Sequence, residues 1–369
     1  MKTLVLGGYG NFGTRICRAL QGDSSIQLLI GGRDLRRAEA LARELGHGSR
    51  GVAIDHSAAN FAQSLRELGV DLLIHTAGPF QQQAYDVALA AADAGAHYID
   101  LADGRRFVCD FAKNVNNVFS DAGRTAISGA STVPALSSAV VEHLCKGWHR
   151  VDSINSCIAP AQQAPRGVAT LAGVLSYCGQ PLDVWTDGRW QQRRGWAQPE
   201  VVTFARLRPR LGALCDIPDL ELFPARYRVT RQVMFSAALE LGFTQHGFAL
   251  LAGLSAWGIV KHPMRLAGLL EGAASAMNFM GSALGGMVVR VEGLDAAGKF
   301  ARRAWHIAAD NNHGPEIPCM AAILLARKLA SGQIMATGAS ACVGLLKLAE
   351  FEPEFTRWGM ELDVLDETA

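Results

Sequence analysis

The sequence predicts an α/β protein whose N-terminal part is a doubly wound parallel sheet and whose later part is an α+β region with a mainly antiparallel sheet. Three observations predict it. Short apolar runs alternate with helical stretches from Lys2 to about Ile127, which requires crossover connections between parallel strands. Those runs lack period-two alternation, as strands covered on both faces do. Beyond about Val151 the alternation stops, and strand-like runs separated by turn signals such as Thr186-Asp187-Gly188 replace it.

In chain order, Leu4-Val5-Leu6 is the first strand and about Phe12 to Leu20 the first helix. Ile26 to Ile30 is a strand, and Leu35 to Leu45 a helix rich in Ala, Arg and Glu. Val52 to Ile54 ends at Asp55 and precedes a helix through Phe61 and Leu68. Leu72-Leu73-Ile74 is followed by a break at Ala77-Gly78-Pro79 and an Ala-rich helix from Gln82 to Ala94. Tyr98-Ile99 with Leu101, a helix around Phe107 to Val118 and a strand at Thr125 to Ile127 complete the series. A helix from Ala135 to Cys145 leads out of it. Strands are then expected at Ser153–Ile158, Val201–Leu207, Val233–Leu239 and Met287–Glu292, before a long helix from about Ile317 to Leu329 that could pack back on the first domain. The tail, with Glu350, Glu352, Glu354 and Glu361, reads as acidic surface.

The 369 residues suffice for two domains, and 49% hydrophobic with 19% charged residues describes a soluble globular protein. Its 35 basic and 34 acidic side chains nearly cancel, which gives no electrostatic reason for nucleic acid or an anionic membrane as main partner. The 8 cysteines include no C-x-x-C pair. They read as reduced, mostly buried thiols of a cytoplasmic protein, with no disulfide framework and no metal site. No signal peptide precedes the first strand. Gly272 to Val289 and Phe248 to Val260 are apolar, but the first is weakly so and the second is too short to span a bilayer. Buried helices are expected there, with peripheral lipid contact as the alternative and no transmembrane span.

Gly8-Tyr9-Gly10-Asn11-Phe12-Gly13 is a G-x-G-x-x-G between the first strand and helix. Its first glycine permits the tight turn, its second lets backbone approach a pyrophosphate, and its third lets helix and strand pack closely. The helix N-terminus adds N–H donors and a positive dipole end. In this context it marks a Rossmann nucleotide site, with Gly8, Gly10, Asn11, Phe12 and Gly13 as cofactor contacts. The second strand ends Gly31-Gly32-Arg33-Asp34. Arg33 can pair with a 2′-phosphate where an NAD site places a carboxylate, which selects NADP; Arg36 and Arg37 add charge, and Asp34 caps the helix or binds a ribose. Asp55 is either an adenine-side contact or a helix cap. Ala77, Gly78 and Pro79 lie at the carboxyl edge of the sheet, where small residues let the cofactor's nicotinamide half pass. Asp100 and Asp103 follow the fifth strand as candidate catalytic carboxylates, with helix capping as the other use, and His313 is a candidate acid or base. No Ser-His-Asp set, H-E-x-x-H, P-loop lysine or Y-x-x-x-K occurs.

Val5-Leu6-Gly7-Gly8-Tyr9-Gly10, Gly31-Gly32-Arg33, Ala77-Gly78-Pro79-Phe80, Tyr98-Ile99-Asp100-Leu101 and Gly129 to Pro134, with the later His313-Gly314-Pro315, resemble the saccharopine dehydrogenase NADP-binding family. The likeness is close over about the first 145 residues and looser around 285–330. It implies a Rossmann domain (1–134) split by an inserted α+β substrate or dimerisation domain (135–312), with C-terminal helices (313–369) returning to the first. It also implies an NADP(H)-dependent oxidoreductase, active on C=N, C=O or C=C of a small molecule, and a homodimer. Basic residues for a dicarboxylate-rich substrate are not matched, and the middle region is apolar, which leaves room for a larger, hydrophobic substrate. An NADP(H)-binding sensor or scaffold without turnover is the other reading.

Overall fold

Six strands joined by helices open the chain in the computed structural model, which describes residues 1–334 and 336–368. They are β1 (Lys2–Leu6), α1 (Asn11–Leu20), β2 (Gln27–Gly32), α2 (Leu35–Leu45), β3 (Arg50–Ala53) and α3 (Phe61–Leu68). Then come β4 (Leu72–His75), α4 (Asp86–Asp93), β5 (His97–Asp100), α5 (Arg105–Cys109), α6 (Phe111–Asp121) and β6 (Thr125–Ser128). The middle of the chain holds α7 (Ser137–Leu144), β7 (Arg150–Ala159), α8 (Val168–Ser176), β8 (Pro181–Thr186), β9 (Arg189–Arg194), β10 (Glu200–Val202) and β11 (Arg210–Leu214). It continues with α9 (Asp219–Arg226), β12 (Gln232–Ala238), α10 (Gly242–Ala256), α11 (Ala267–Ala276), β13 (Gly285–Leu294) and β14 (Phe300–Ala309). Last come α12 (Ile317–Ala330), β15 (Gly338–Ala341), α13 (Leu348–Arg357) and β16 (Glu361–Asp366).

These elements form two units. The first is Met1–Ala135 with Glu316–Leu345; the second is Leu136–Pro315 with Leu346–Ala369. Among the described residues the first unit holds a seven-stranded sheet in the order β15-β6-β5-β4-β1-β2-β3, parallel throughout. Every residue of β4 is buried, so burial on both faces accounts for the unbroken apolar runs. β2 and β3 lie on one side of β1 and β4, β5 and β6 on the other, and ligands bind such sheets beyond the carboxyl ends at that switch point.

The second unit holds a nine-stranded sheet, again among the described residues. Its order is β10-β11-β12-β7-β13-β14-β16, with β8 pairing β12 and β9. Only the β12–β7 neighbours run parallel; the other pairs are antiparallel. The α/β class and the mainly antiparallel second sheet agree with the sequence.

Several local expectations are corrected. The run Val201–Leu207 is strand only to Val202; Phe204 and Leu207 then fold over the sheet onto Cys157, Val288 and Ala304. The segment returning to the first unit ends at Leu345, because β16 pairs with β14 in the second sheet. Glu354, expected on the surface, is buried. The apolar stretches around 248–280 are not buried helices. Large apolar residues of α10 and the segment after it face solvent. No helix among the described residues is long and apolar enough to cross a membrane. No disulfide links the cysteines, and six of the eight are buried.

The Thr186-Asp187-Gly188 signal closes the β8–β9 hairpin, with Asp187 at φ 52° and Gly188 at φ 69°. Positive φ at both loop positions matches a type I′ turn, and a Cβ on Gly188 would lie 2.9 Å from the Thr230 carbonyl oxygen. Gly188→Val is expected to cost about 1–3 kcal/mol, read as a lower urea midpoint at unchanged slope.

Candidate functional site

The site is built outward from the loop between β1 and α1. Gly7 and Gly8 both donate their backbone N–H to the Gly31 carbonyl (2.9 and 3.0 Å), which draws the loop against the end of β2. Gly10 caps α1 in an extended conformation without a side-chain hydrogen bond. A Cβ on Gly13 would sit 2.2 Å from the Gly7 carbonyl oxygen, so only glycine lets α1 press on the loop. Gly8, Gly10, Asn11, Phe12 and Gly13 thus frame one turn and one helix N-terminus, the arrangement that receives a pyrophosphate. The Asn11 side chain accepts from Arg15 (2.6 Å), whose guanidinium also pairs with Glu316 (2.9 Å).

At the end of β2 a cavity of about 540 Å³ is lined by Tyr9, Arg33, Asp34, Leu35, Arg36 and Arg37. Asp34 proves to be the N-cap of α2: its carboxylate accepts from the Arg37 N–H at 3.2 Å. Its own N–H donates to the Tyr9 hydroxyl at 2.9 Å, and the Arg37 guanidinium lies 4.6 Å from the centre of the Tyr9 ring. The ring occupies the space beside Gly32, where a Cβ would come within 2.4 Å of it. Three arginines and one capping carboxylate leave the cavity with positive charge, suited to a dianionic phosphate. Tyr9 was not foreseen as a site residue. The signal was present in an aromatic residue inside the glycine motif opposite a Gly-Gly pair.

Asp55 accepts from the Ser57 N–H (3.0 Å) and hydroxyl (2.7 Å), and these bonds hold its carboxyl below the usual range. The structure therefore shows Asp55 closing a turn.

Ala77, Gly78 and Pro79 follow β4, and His75 and Gln83 hold their loop. The Gln83 amide donates to the carbonyls of Ala77 (2.8 Å) and Pro79 (3.0 Å), and its oxygen lies 3.1 Å from His75 Nε2. His75 Nδ1 accepts from the Ala77 N–H at 3.4 Å. The network assigns the proton to Nε2, and burial lowers the pKa to about 4, so the ring is neutral.

Asp100 is fully buried at the end of β5. One carboxylate oxygen accepts from the N–H groups of Ala102 (2.9 Å) and Gly129 (2.8 Å) and from the Ser128 hydroxyl (3.0 Å). Burial raises its pKa to about 6 against those bonds. Asp103 is only partly buried, accepts from Gln81 at 3.1 Å, and is pushed up by desolvation. His313 belongs to the second unit, where Nδ1 meets the Trp358 carbonyl at 3.0 Å and the ring packs 4.9 Å from that indole.

A larger cavity, about 890 Å³, lies on the second sheet and includes Asn155, Gln232, Ser236 and Arg290. Arg290 is committed there to Glu367 (3.0 Å) and Thr203 (2.8 Å).

Residues 3–133 match the family model of the saccharopine dehydrogenase NADP binding domain, which bears out the resemblance over the first domain and identifies NADP as its cofactor. No curated protein matches the chain. Among solved structures, apo histidine-tagged saccharopine dehydrogenase (L-Glu forming) from Saccharomyces cerevisiae is similar at 13% identity and TM-score 0.67, with 99% of each chain covered. Amine dehydrogenase from Mycobacterium smegmatis is 10% identical over 93% of this chain and 95% of that one, at TM-score 0.49. An engineered D-amino acid dehydrogenase bound to NADP+ is 14% identical over 96% and 98%, at TM-score 0.47.

His75 and Asp100 give opposite pH effects. Unfolded His75 takes its proton near 6.5 and the folded ring only near 4, so that contribution is present above 6.5 and lost as pH falls through about 4. Asp100, raised from 3.8 to about 6, contributes stability at low pH that is lost as pH rises through 6. The two offset each other in the wild type. His75→Asn is expected to remove one side, so that relative to wild type it gains up to about 3 kcal/mol between pH 6.5 and 4. Urea unfolding of both proteins across that range checks it; a constant difference would contradict the neutral, buried ring.

Proposed function

We propose that the protein is an NADP(H)-dependent oxidoreductase acting on a C=N, C=O or C=C bond of a small, apolar molecule. The observation that carries this is the three-arginine cavity beside the glycine loop, within a domain that matches an NADP-binding dehydrogenase family. When bound, the dinucleotide supplies hydride chemistry at its nicotinamide.

In this reading the loop from Gly8 to Gly13 and the N-terminus of α1 bind the pyrophosphate. Arg33, Arg36 and Arg37 hold the 2′-phosphate, and Asp55 borders the adenine side. Ala77, Gly78 and Pro79, fixed by Gln83, border the nicotinamide half. Asp103, partly exposed with a raised pKa, is the group suited to hold or release a proton at the reacting atom. Asp100 is a positioning residue: its bonds to Ala102, Ser128 and Gly129 tie two sheet-edge loops together. His313 is assigned to the substrate side, in the second unit. That unit, Leu136–Pro315 with Leu346–Ala369, is assigned substrate recognition and self-association as a homodimer. The unlinked, mostly buried cysteines support a cytoplasmic location.

NADPH and NADH titration, followed by an absorbance screen against imines, ketones and enoyl compounds, tests the proposal. NADPH is expected to bind more tightly and to be oxidised by at least one class. Arg33→Ala should weaken NADPH about tenfold or more, in line with a lost charge-assisted bond, while leaving NADH nearly unchanged. Equal loss for both would show that Arg33 does not read the phosphate. Binding without oxidation by any class would favour the sensor reading.

A further inference from the structure

Helix α10 is amphipathic in the reverse sense for a helix at a water-exposed surface. Its buried residues are Gln245, Ala252 and Ser255, while Phe243 and Leu250 face solvent. The chain beyond it exposes Trp257 (80%), Ile259 (65%), Leu269 (71%) and Phe279 (83%). Apolar side chains exposed in such number along one stretch are unusual on a water-facing surface. Lys261, His262 and Arg265 are exposed in the same connection between α10 and α11, and no carboxylate pairs with Lys261 or Arg265 among the described residues.

The glycines add an independent point. A Cβ placed on Gly242, Gly247, Gly253, Gly268 or Gly272 would meet nothing within 4 Å, so no packing contact demands them. Glycine inside a helix costs about 1 kcal/mol relative to alanine. Helices of this composition are weak on their own.

We propose that the segment from α10 to α11 is a peripheral docking surface for an anionic lipid bilayer. Trp257 and Ile259 enter the headgroup–acyl boundary, and Lys261 and Arg265, a few residues along the chain, meet lipid phosphates. Charge selects this occupant over a second copy of the chain. A two-fold contact places the same patch on both partners, which would bring the unpaired cations of each copy into one apolar interface. A phosphate layer neutralises them instead. The near-zero net charge of the whole chain hides this local excess, in which Lys261 and Arg265 face a single carboxylate in the segment, Glu271, itself hydrogen-bonded by Ser275.

The test uses the full chain sedimented with vesicles of phosphatidylcholine alone and of phosphatidylcholine mixed with phosphatidylglycerol. Binding is expected only to the anionic vesicles and to weaken with salt. The double changes Trp257→Ser with Ile259→Ser, and Lys261→Gln with Arg265→Gln, should each lower partitioning about tenfold or more. Both should leave thermal unfolding and NADPH affinity as in the wild type. Brominated lipid should quench wild-type tryptophan fluorescence more than that of Trp257→Phe, a change that does not threaten folding. The proposal is overturned by absent binding, by equal binding to both vesicle types, or by a dimer that the Trp257→Ser, Ile259→Ser pair dissociates.

Discussion

Gly7 and Gly8 share one acceptor, the Gly31 carbonyl oxygen, and the nucleotide site depends on that junction. It pulls the end of β1 against the end of β2, so the loop before α1 and the start of α2 face one space. The Tyr9 ring lies over Gly32, and its hydroxyl receives the N–H that opens α2. The same ring carries the Arg37 guanidinium. Cation–aromatic contacts of this kind contribute about 0.5–1 kcal/mol at exposed sites, and here the contact also limits where a flexible arginine can point. The capping of α2 and the placement of Arg37 at the cavity are thus one construction.

A second set of bonds fixes the other side of the sheet edge. Neutral His75 and the Gln83 amide hold the loop after β4, and buried Asp100 binds donors from β6 and the loop beyond it. Buried polar groups are costly unless satisfied, so these side chains are held by the geometry they impose. Their pKa values move in opposite directions because burial disfavours the charged form of each: the imidazole goes down and the carboxyl goes up. Asp103, a few residues on, is less exposed to water than a surface carboxylate, accepts from Gln81, and is likewise pushed up by desolvation.

The parallel sheet was legible because its strands are short apolar runs spaced by helices, and the phosphate loop because G-x-G-x-x-G has few other uses between a strand and a helix. Position put Arg33 at the strand end, where it lines the cavity, and offered Asp34 two uses, of which the structure shows the cap. Tyr9, His75 and Gln83 were not legible, since their roles arise from contacts between segments distant in sequence. The strands β9 and β14 were missed because arginines interrupt their apolar pattern (Arg193, Arg194, Arg302, Arg303). The apolar stretch after Phe248 was read as core, whereas α10 buries its small and polar residues and exposes the large apolar ones. Hydropathy records how apolar a segment is and not which face of it is covered.

The central claim is that Arg33, Arg36 and Arg37, ordered around Tyr9, recognise the 2′-phosphate of adenosine. Calorimetric titration with adenosine 2′,5′-bisphosphate and with adenosine 5′-monophosphate tests it without the nicotinamide half. The account predicts that the bisphosphate binds at least about tenfold more tightly, and that the advantage shrinks as salt rises. Equal affinity for the two nucleotides, or a preference that salt leaves unchanged, would contradict it.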